Sequence, residues 1–250
     1  MCNQKIIETC EVKFQEKVAS ETYIIKIQAA KIASLIQAGN FVTLSLQENN
    51  TACLLKRPFS IYDWDKGHVY ILYKVKGKVT TLMSKLVSGE KLDIIGPLGN
   101  GFTQCKNENI LLVGGGIGIA PLLAARKSLC DNNNVVVVHG VRHRSELVTW
   151  KDFEVLPHVD DEKGYFVCNS ANISSLIKEH KITHIKTCGP IPMMKEIYEV
   201  GNKMNVSVEV SLEARMACGF GVCLGCVVST NNGYKKVCVD GPVFSGTDVW

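Results

Sequence analysis

The stretch "LLVGGGIGIAPLL", Leu111 to Leu123, decides the fold. An unbroken apolar run meets a cluster of glycines and leaves through Ala120-Pro121 into a helical pattern. The run is too continuous for a half-exposed strand, so it reads as a strand buried on both faces. Proline suits the first turn of the helix that follows. Gly114, Gly115, Gly116 and Gly118 let the backbone come close to a pyrophosphate, and the helix start offers unpaired N–H groups and a positive dipole end. The spacing Gly114-x-Gly116-x-Gly118 departs from the G-x-G-x-x-G fingerprint, so two readings stand. One is a nucleotide-binding turn, which the strand–glycine–helix context favours. The other is a tight turn with no ligand.

Moving outward, "NVVVVHGV", "GYFVC" and "HIKTCGP" are further compact apolar strands. Helical stretches such as "APLLAARKSLC" and "PMMKEIYEVGNKM" lie between them. Buried strands alternating with helices predict a doubly wound parallel sheet over 103–210. "TCGPIPMM", Thr187 to Met194, is a second strand end running through Gly-Pro into a helix. Ligands of open parallel sheets sit beyond such ends, which makes Cys188, Gly189 and Pro190 candidates. Cys188 either faces that ligand or is a small buried hydrophobe. After "VVVVHGVRHRSEL", Arg142, Arg144 and Glu146 are placed to read a ribose and would serve NAD or NADP.

The N-terminal side has another rhythm. "TYIIKIQA", "NFVTLSLQ" and "HVYILYKV" are short β-rich runs, with an Asp65-Lys66-Gly67 turn before the third. They predict a small antiparallel barrel over 1–102, interrupted by one helix from about Thr80 to Ser88. Within it, "RPFSIYDW" places Arg57 where a guanidinium can clamp a phosphate, with an aromatic ring and a hydroxyl close behind. The plainer reading is a Pro-containing strand start with Phe59 in the core.

The remainder, 211–250, is rich in Cys and Gly and has little helical periodicity. Cys218-x4-Cys223-x2-Cys226, completed by the distant Cys238, is the plant-type [2Fe–2S] spacing. Gly219, Gly221 and Gly225 suit a loop whose N–H groups turn inward to sulfur. Structural zinc, the second reading, more often shows two C-x2-C pairs, and here only Cys223 and Cys226 form one. The other seven cysteines, 2, 10, 53, 105, 130, 168 and 188, have no ligand spacing.

At 250 residues the chain accommodates two domains and an appendage. A net charge of +4, with no basic run, gives no sign of a nucleic-acid partner. The N-terminus lacks an apolar signal region, and no apolar run approaches the ~20 residues that span a bilayer. The expectation is a soluble, cytoplasmic protein without a membrane partner, in whose reducing surroundings disulfides are disfavoured.

Barrel with R-P-F-S, glycine-rich α/β unit with C-G-P, then a [2Fe–2S] loop: in this order the chain resembles the ferredoxin-reductase superfamily. Within it the resemblance is closest to the electron transfer subunits of bacterial dihydroorotate dehydrogenase B. It spans essentially the whole chain and is most specific in "EARMACGFGVCLGCVV" and "KKVCVDGPVF". It implies an FAD-binding barrel, an NAD-binding α/β domain and a small C-terminal [2Fe–2S] domain. Arg57, Pro58, Phe59 and Ser60 look like the first FAD segment, and Leu72, Tyr73 and Lys74 like the second. The third, usually Gly-Thr, falls on Val79 and Thr80, a departure in which Thr80 still reaches a phosphate. Gly114 to Gly118 and Cys188-Gly189-Pro190 resemble the NAD-facing turns. Cys218, Cys223, Cys226 and Cys238 match the cluster ligands.

The implied function is electron transfer from the FMN of a dihydroorotate-oxidising catalytic subunit, through cluster and FAD, to NAD+. The implied assembly is a heterotetramer, and no acid/base residue is required of this chain. A partner docking over the cluster loop would meet Phe220 and Leu224, which otherwise pack against the barrel. Rival readings are the small subunit of a ferredoxin:NADP+ or sulfide-type oxidoreductase, a zinc-stabilised binding module, and a reductase that needs no partner.

Overall fold

The computed structural model describes residues 5–46, 55–150, 153–159 and 170–250. Cys2, Cys53, Cys168 and the expected "GYFVC" strand lie outside them.

Seven antiparallel strands form the first unit: β1 (Ile6–Ala19), β2 (Thr22–Gln28), β3 (Phe41–Leu46), β4 (Arg57–Ser60), β5 (Asp63–Trp64), β6 (His68–Lys74) and β7 (Lys91–Leu98), in the order β4-β3-β7-β1-β2-β6-β5. The short helix α1 (Ala30–Ala33) follows β2. β1 is long enough to serve two neighbours, pairing with β7 through its first half and with β2 through its second. Its register shifts at Val12/Phe14 and Lys17/Ala19, and bulges of this kind add the twist that curls a sheet. The edge strands β4 and β5 are consecutive in the chain, so their connection crosses the seam. There the Ile61 N–H donates to the Asn40 carbonyl at 3.2 Å and the Tyr62 N–H to the Tyr70 carbonyl at 2.9 Å. Apolar residues at alternate positions, among them Val42, Leu44, Ile25, Ile27, Ile71 and Ile94, fill the interior.

The helix expected over Thr80–Ser88 is α2, Lys78–Met83. It starts earlier because the Thr80 hydroxyl accepts the N–H groups of Lys76 (2.9 Å) and Gly77 (3.0 Å), capping the chain at Gly77. It stops at Ser84.

The second unit is a six-stranded sheet of β8 (Asn109–Gly115), β9 (Asn134–Val141), β10 (Leu156–Val159), β11 (His184–Cys188), β12 (Ser207–Ser211) and β15 (Val243–Ser245), ordered β10-β9-β8-β11-β12-β15. The first five strands are parallel, and β15 is antiparallel to β12. Helix α3 (Ile119–Leu129) covers one face, meeting Ile110, Leu112 and Val137. Helices α4 (Ser170–Glu179) and α5 (Ile191–Lys203) cover the other, meeting Leu111, Val113 and Val138. On α5 the buried Met193, Met194, Ile197, Val200 and Gly201 recur at helical spacing. Eight of the eleven residues of α3 are buried, because the helix is pressed between this sheet and the barrel.

The hairpin of β13 (Val227–Thr230) and β14 (Gly233–Lys236), then β15 and α6 (Gly246–Val249), complete the chain. The 211–250 segment is therefore not a detached tail. Its last strand extends the α/β sheet, and its cysteines Cys226 and Cys238 pack in one cluster with Phe41, Ile95 and Leu98 of the barrel.

Candidate functional site

Reading the second sheet across, chain order reverses between β8 and β11, and ligands bind outside the carboxyl ends of strands at such a switch point. The Gly114–Gly118 turn leaves β8 there, and Cys188-Gly189-Pro190 leaves β11 beside it. The glycines divide by role. A Cβ at Gly114 would stand 2.6 Å from the Ile119 Cα, at Gly115 2.6 Å from the Pro190 Cδ, and at Gly118 2.4 Å from the Cys188 carbonyl oxygen. These three let two turns and a helix pack together. Gly116, at φ +54, faces open space and is the one whose backbone a ligand can approach.

Beneath Gly116 lies His139, buried on β9, with Nε2 3.0 Å from the Gly116 carbonyl. Burial lowers its pKa to about 4, so the ring is neutral, Nε2–H is the donor and the turn is held from below. Cys188 is buried, and burial pushes its thiol up; its side chain meets Ser211. Glu146 accepts from the Lys74 ammonium at 2.5 Å, so it ties the α/β unit to the barrel instead of standing free for a ribose.

A cavity of about 500 Å³ lies between barrel and sheet. Arg57, Pro58, Phe59, Ser60, Leu72, Tyr73, Lys74, Val79 and Thr80 all line it, brought together from β4, β6 and the start of α2. Lys76 and Lys78 add cations, and among the described residues Glu213 is the one carboxylate in the lining. That balance suits a diphosphate. Arg57 is steadied by donating to the Leu55 carbonyl at 2.8 Å, one of the five N–H bonds a guanidinium can make. Phe59 and Tyr73 meet edge to face at 6.0 Å, forming an aromatic wall beside which a flat ring system can lie. The valine at the family's glycine position is accommodated, because Val79 packs into the barrel core while bordering the cavity. Beside it, Gly77 has nothing within 4 Å of where a Cβ would stand, so the open backbone has moved two residues back. The residues present fit an FAD.

One wall went unread in the sequence: Ser211, Leu212, Glu213, Ala214 and Met216. Ser211 ends β12, a strand of the parallel sheet, and that position was the available signal. Two residues beyond Met216 the same run reaches Cys218.

The four thiols fall into two pairs joined through the backbone, the Cys223 N–H donating to Cys218 Sγ and the Cys238 N–H to Cys226 Sγ. Among the described residues no three His, Cys, Asp or Glu side chains gather as around a single ion. Two thiols on each side is the set a two-iron cluster takes. Backbone N–H groups point at sulfur: Cys223 at Cys218 (3.5 Å), Gly225 at Cys223 (3.4 Å) and Cys238 at Cys226 (3.5 Å). Burial opposes ionisation of Cys218, but the N–H groups of Cys223, Phe220 and Val222 outweigh it and lower its pKa to about 6. At Cys238, burial and then Cys226 push the thiol up to about 12, although the Gly221 N–H favours its ionised form. Gly221, at φ +92, is needed both for that N–H direction and because a Cβ would come 2.6 Å from Val239. Such a crowd of thiols, lined with donors, fits a cationic iron core. The Cys226–Cys238 pair is buried and Cys223 is exposed. Around it Phe220, Val222 and Leu224 are 41%, 74% and 61% exposed, and do not pack away against the barrel.

No helix among the described residues is long and apolar enough to cross a membrane. Residues 213–250 match the iron-sulfur cluster binding domain of dihydroorotate dehydrogenase B, and residues 9–102 the oxidoreductase FAD-binding domain. The chain is 35% identical over 241 residues to the dihydroorotate dehydrogenase B (NAD(+)) electron transfer subunit of Caldanaerobacter subterraneus subsp. tengcongensis, covering 93% of this chain and 94% of that one. The subunit of the same name from Fusobacterium nucleatum subsp. nucleatum is 31% identical, with 97% and 98% covered. Among solved structures, that of an NADH-dependent reduced ferredoxin-NADP oxidoreductase superposes with a TM-score of 0.86 at 30% identity, covering 96% of this chain and 89% of that one. Phthalate dioxygenase reductase, at 14% identity and a TM-score of 0.67 over 97% and 96%, shares the fold.

Proposed function

Because the chain belongs to the family of dihydroorotate dehydrogenase B electron transfer subunits, we propose that it carries electrons from the FMN of a dihydroorotate-oxidising catalytic subunit to NAD+. It is an NAD-linked oxidoreductase subunit of pyrimidine biosynthesis, with FAD and a [2Fe–2S] cluster as its cofactors. Bound FAD converts between the hydride of a nicotinamide and the single electrons of the cluster. The observation that carries the reading is the 211–218 run, which forms one wall of the flavin cavity and continues into the first cluster cysteine. One segment of chain thereby holds the two cofactors side by side.

In this reading the barrel, 1–102, holds FAD. Arg57 takes the diphosphate, Phe59 and Tyr73 flank the ring system, and the turn capped by Thr80 keeps the backbone at Gly77 open to the cavity. The α/β unit, 103–210, receives the nicotinamide nucleotide over Gly116 and beside Gly189. The segment 211–250 holds the cluster through Cys218, Cys223, Cys226 and Cys238. The partner covers Phe220, Val222 and Leu224, which surround the solvent-facing ligand pair. The assembly has two copies of each subunit and works in the cytoplasm.

The isolated chain is expected to oxidise NADH with artificial acceptors and to leave NAD+ unreduced when given dihydroorotate. Adding the catalytic subunit restores that reaction and gives a two-plus-two assembly by light scattering, which Phe220→Asp weakens without loss of iron. Dihydroorotate-dependent NAD+ reduction by the chain alone would overturn the proposal.

A further inference from the structure

β3 is a strand with two duties. Val42 and Leu44 point into the barrel core, whereas Phe41 and Thr43 point to the opposite face, against the C-terminal segment. Phe41 is apolar and suits that place. Thr43 does not obviously suit it: its relative exposure is 0%, and its Oγ1 has no hydrogen-bond partner among the described residues. Buried hydroxyls are as a rule bonded, so one left over points to a group that completes it.

The surroundings of Thr43 say which group. Directly over it lies Gly219, the residue after Cys218: a Cβ there would stand 3.0 Å from Thr43 Cγ2, 3.3 Å from Leu98 Cδ1 and 3.8 Å from Thr43 Oγ1. Gly219 is at φ +78, so the loop is bent down onto the barrel at this point. On the other side Thr43 is paired with Pro58 of β4, within the Arg57–Ser60 run that lines the flavin cavity. Thr43 therefore stands in the barrel wall between the two cofactor sites. Backbone N–H groups of the loop and of Cys238 already serve the cysteine sulfurs.

We propose that the Thr43 hydroxyl donates a hydrogen bond to the sulfur framework of the bound [2Fe–2S] cluster and thereby raises its reduction potential. The inference rests on the cluster reading of the four cysteines. A donor aimed at sulfur stabilises the extra negative charge of the reduced form, and outer contacts of this kind are among the controls a protein has over cluster potential. Thr43 is a hydrogen-bond donor to the cluster, not a ligand of its iron.

The test is an anaerobic redox titration of the holoprotein, followed by visible absorption and electron paramagnetic resonance, with iron, sulfide and flavin counted in each sample. Thr43→Val keeps the branched shape and removes the hydroxyl; Thr43→Ser keeps the hydroxyl. The valine variant is expected to shift the reduction equilibrium of the cluster about tenfold toward the oxidised form, about 59 mV for one electron. The serine variant returns toward wild type, and flavin content stays the same throughout. If the valine variant holds no iron, Thr43→Ala takes its place in the titration. Iron lost from both and kept in the serine variant likewise supports a bond from hydroxyl to cluster. An unchanged potential in an iron-replete valine or alanine variant overturns the proposal, as does iron loss from the serine variant too. A wild-type protein without [2Fe–2S] absorption overturns the cluster reading itself, which is a separate failure.

Discussion

In the proposed reading Arg57 and Cys223 stand at two different cofactor sites, so each site is expected to empty without the other. Arg57 lines the flavin cavity, and charge-assisted bonds from such a group contribute about 1.5–3 kcal/mol each. Arg57→Ala is therefore expected to weaken flavin binding roughly tenfold to a hundredfold, read as flavin fluorescence released on dilution, with iron unchanged. Unaltered flavin affinity would make Arg57 a surface charge. Cys223→Ser is the converse: iron falls sharply while FAD stays, because most of the flavin lining comes from β4, β6 and the start of α2, and Cys223 lies beyond the 211–216 wall. The proposed cluster cysteines stood out in the sequence because three of the four lie within nine residues. The pairing of Glu146 did not, since its partner Lys74 is 72 residues away and only the folded chain brings them to 2.5 Å. Val79 was illegible for a similar reason: whether a valine blocks a cavity depends on which way the barrel turns it.

At the scale of elements, the strand–glycine–helix unit around Leu111–Leu123 was readable because a buried strand and a proline-started helix are both local patterns. Helix α2 was placed two residues late, because its start is set by the Thr80 cap and not by apolar spacing. Strand β15 escaped notice altogether: three residues carry no periodicity, and its pairing with β12 is a tertiary event. Strand β9 carries a pH signature. His139 is held near pKa 4 by burial, with Glu146, itself paired to Lys74, as the charged group acting on it. A depressed histidine pKa means that the unfolded chain binds the proton first. The corresponding stability is intact above pH 6.5 and is lost as pH falls toward 4. Between pH 7 and pH 5 the loss amounts to about 2 kcal/mol. Urea unfolding at those two pH values is expected to register that loss in wild type and not in His139→Phe. Equal losses in both would show that His139 already carries its proton in the folded protein.

Across the whole molecule, the barrel and the α/β unit are joined by bonds that would break if either moved away. Lys127 on α3 reaches Asp63 at 2.5 Å, Trp150 donates to the Tyr62 hydroxyl at 3.2 Å, and Lys74 pairs with Glu146. At the linker, the buried Lys186 pairs with Glu209 and donates to the Thr103 carbonyl at 3.0 Å. Removing one partner of such a buried pair costs about 3–5 kcal/mol, and both partners grip the linker at Thr103, Lys186 at its carbonyl and Glu209 at its N–H and hydroxyl. Three-part order was legible from changes of rhythm along the chain; the shared wall at 211–216 was not, because it belongs to no motif. That wall makes a definite demand on the electron route. The complex with the catalytic subunit, freed of NAD+, should be mixed anaerobically with dihydroorotate while FAD absorption is followed, once with wild-type chain and once with Cys223→Ser. FAD is predicted to bleach rapidly in the first and to stay oxidised in the second, whose FMN alone is reduced. Bleaching of FAD at the wild-type rate in the iron-free variant would contradict a route through the cluster.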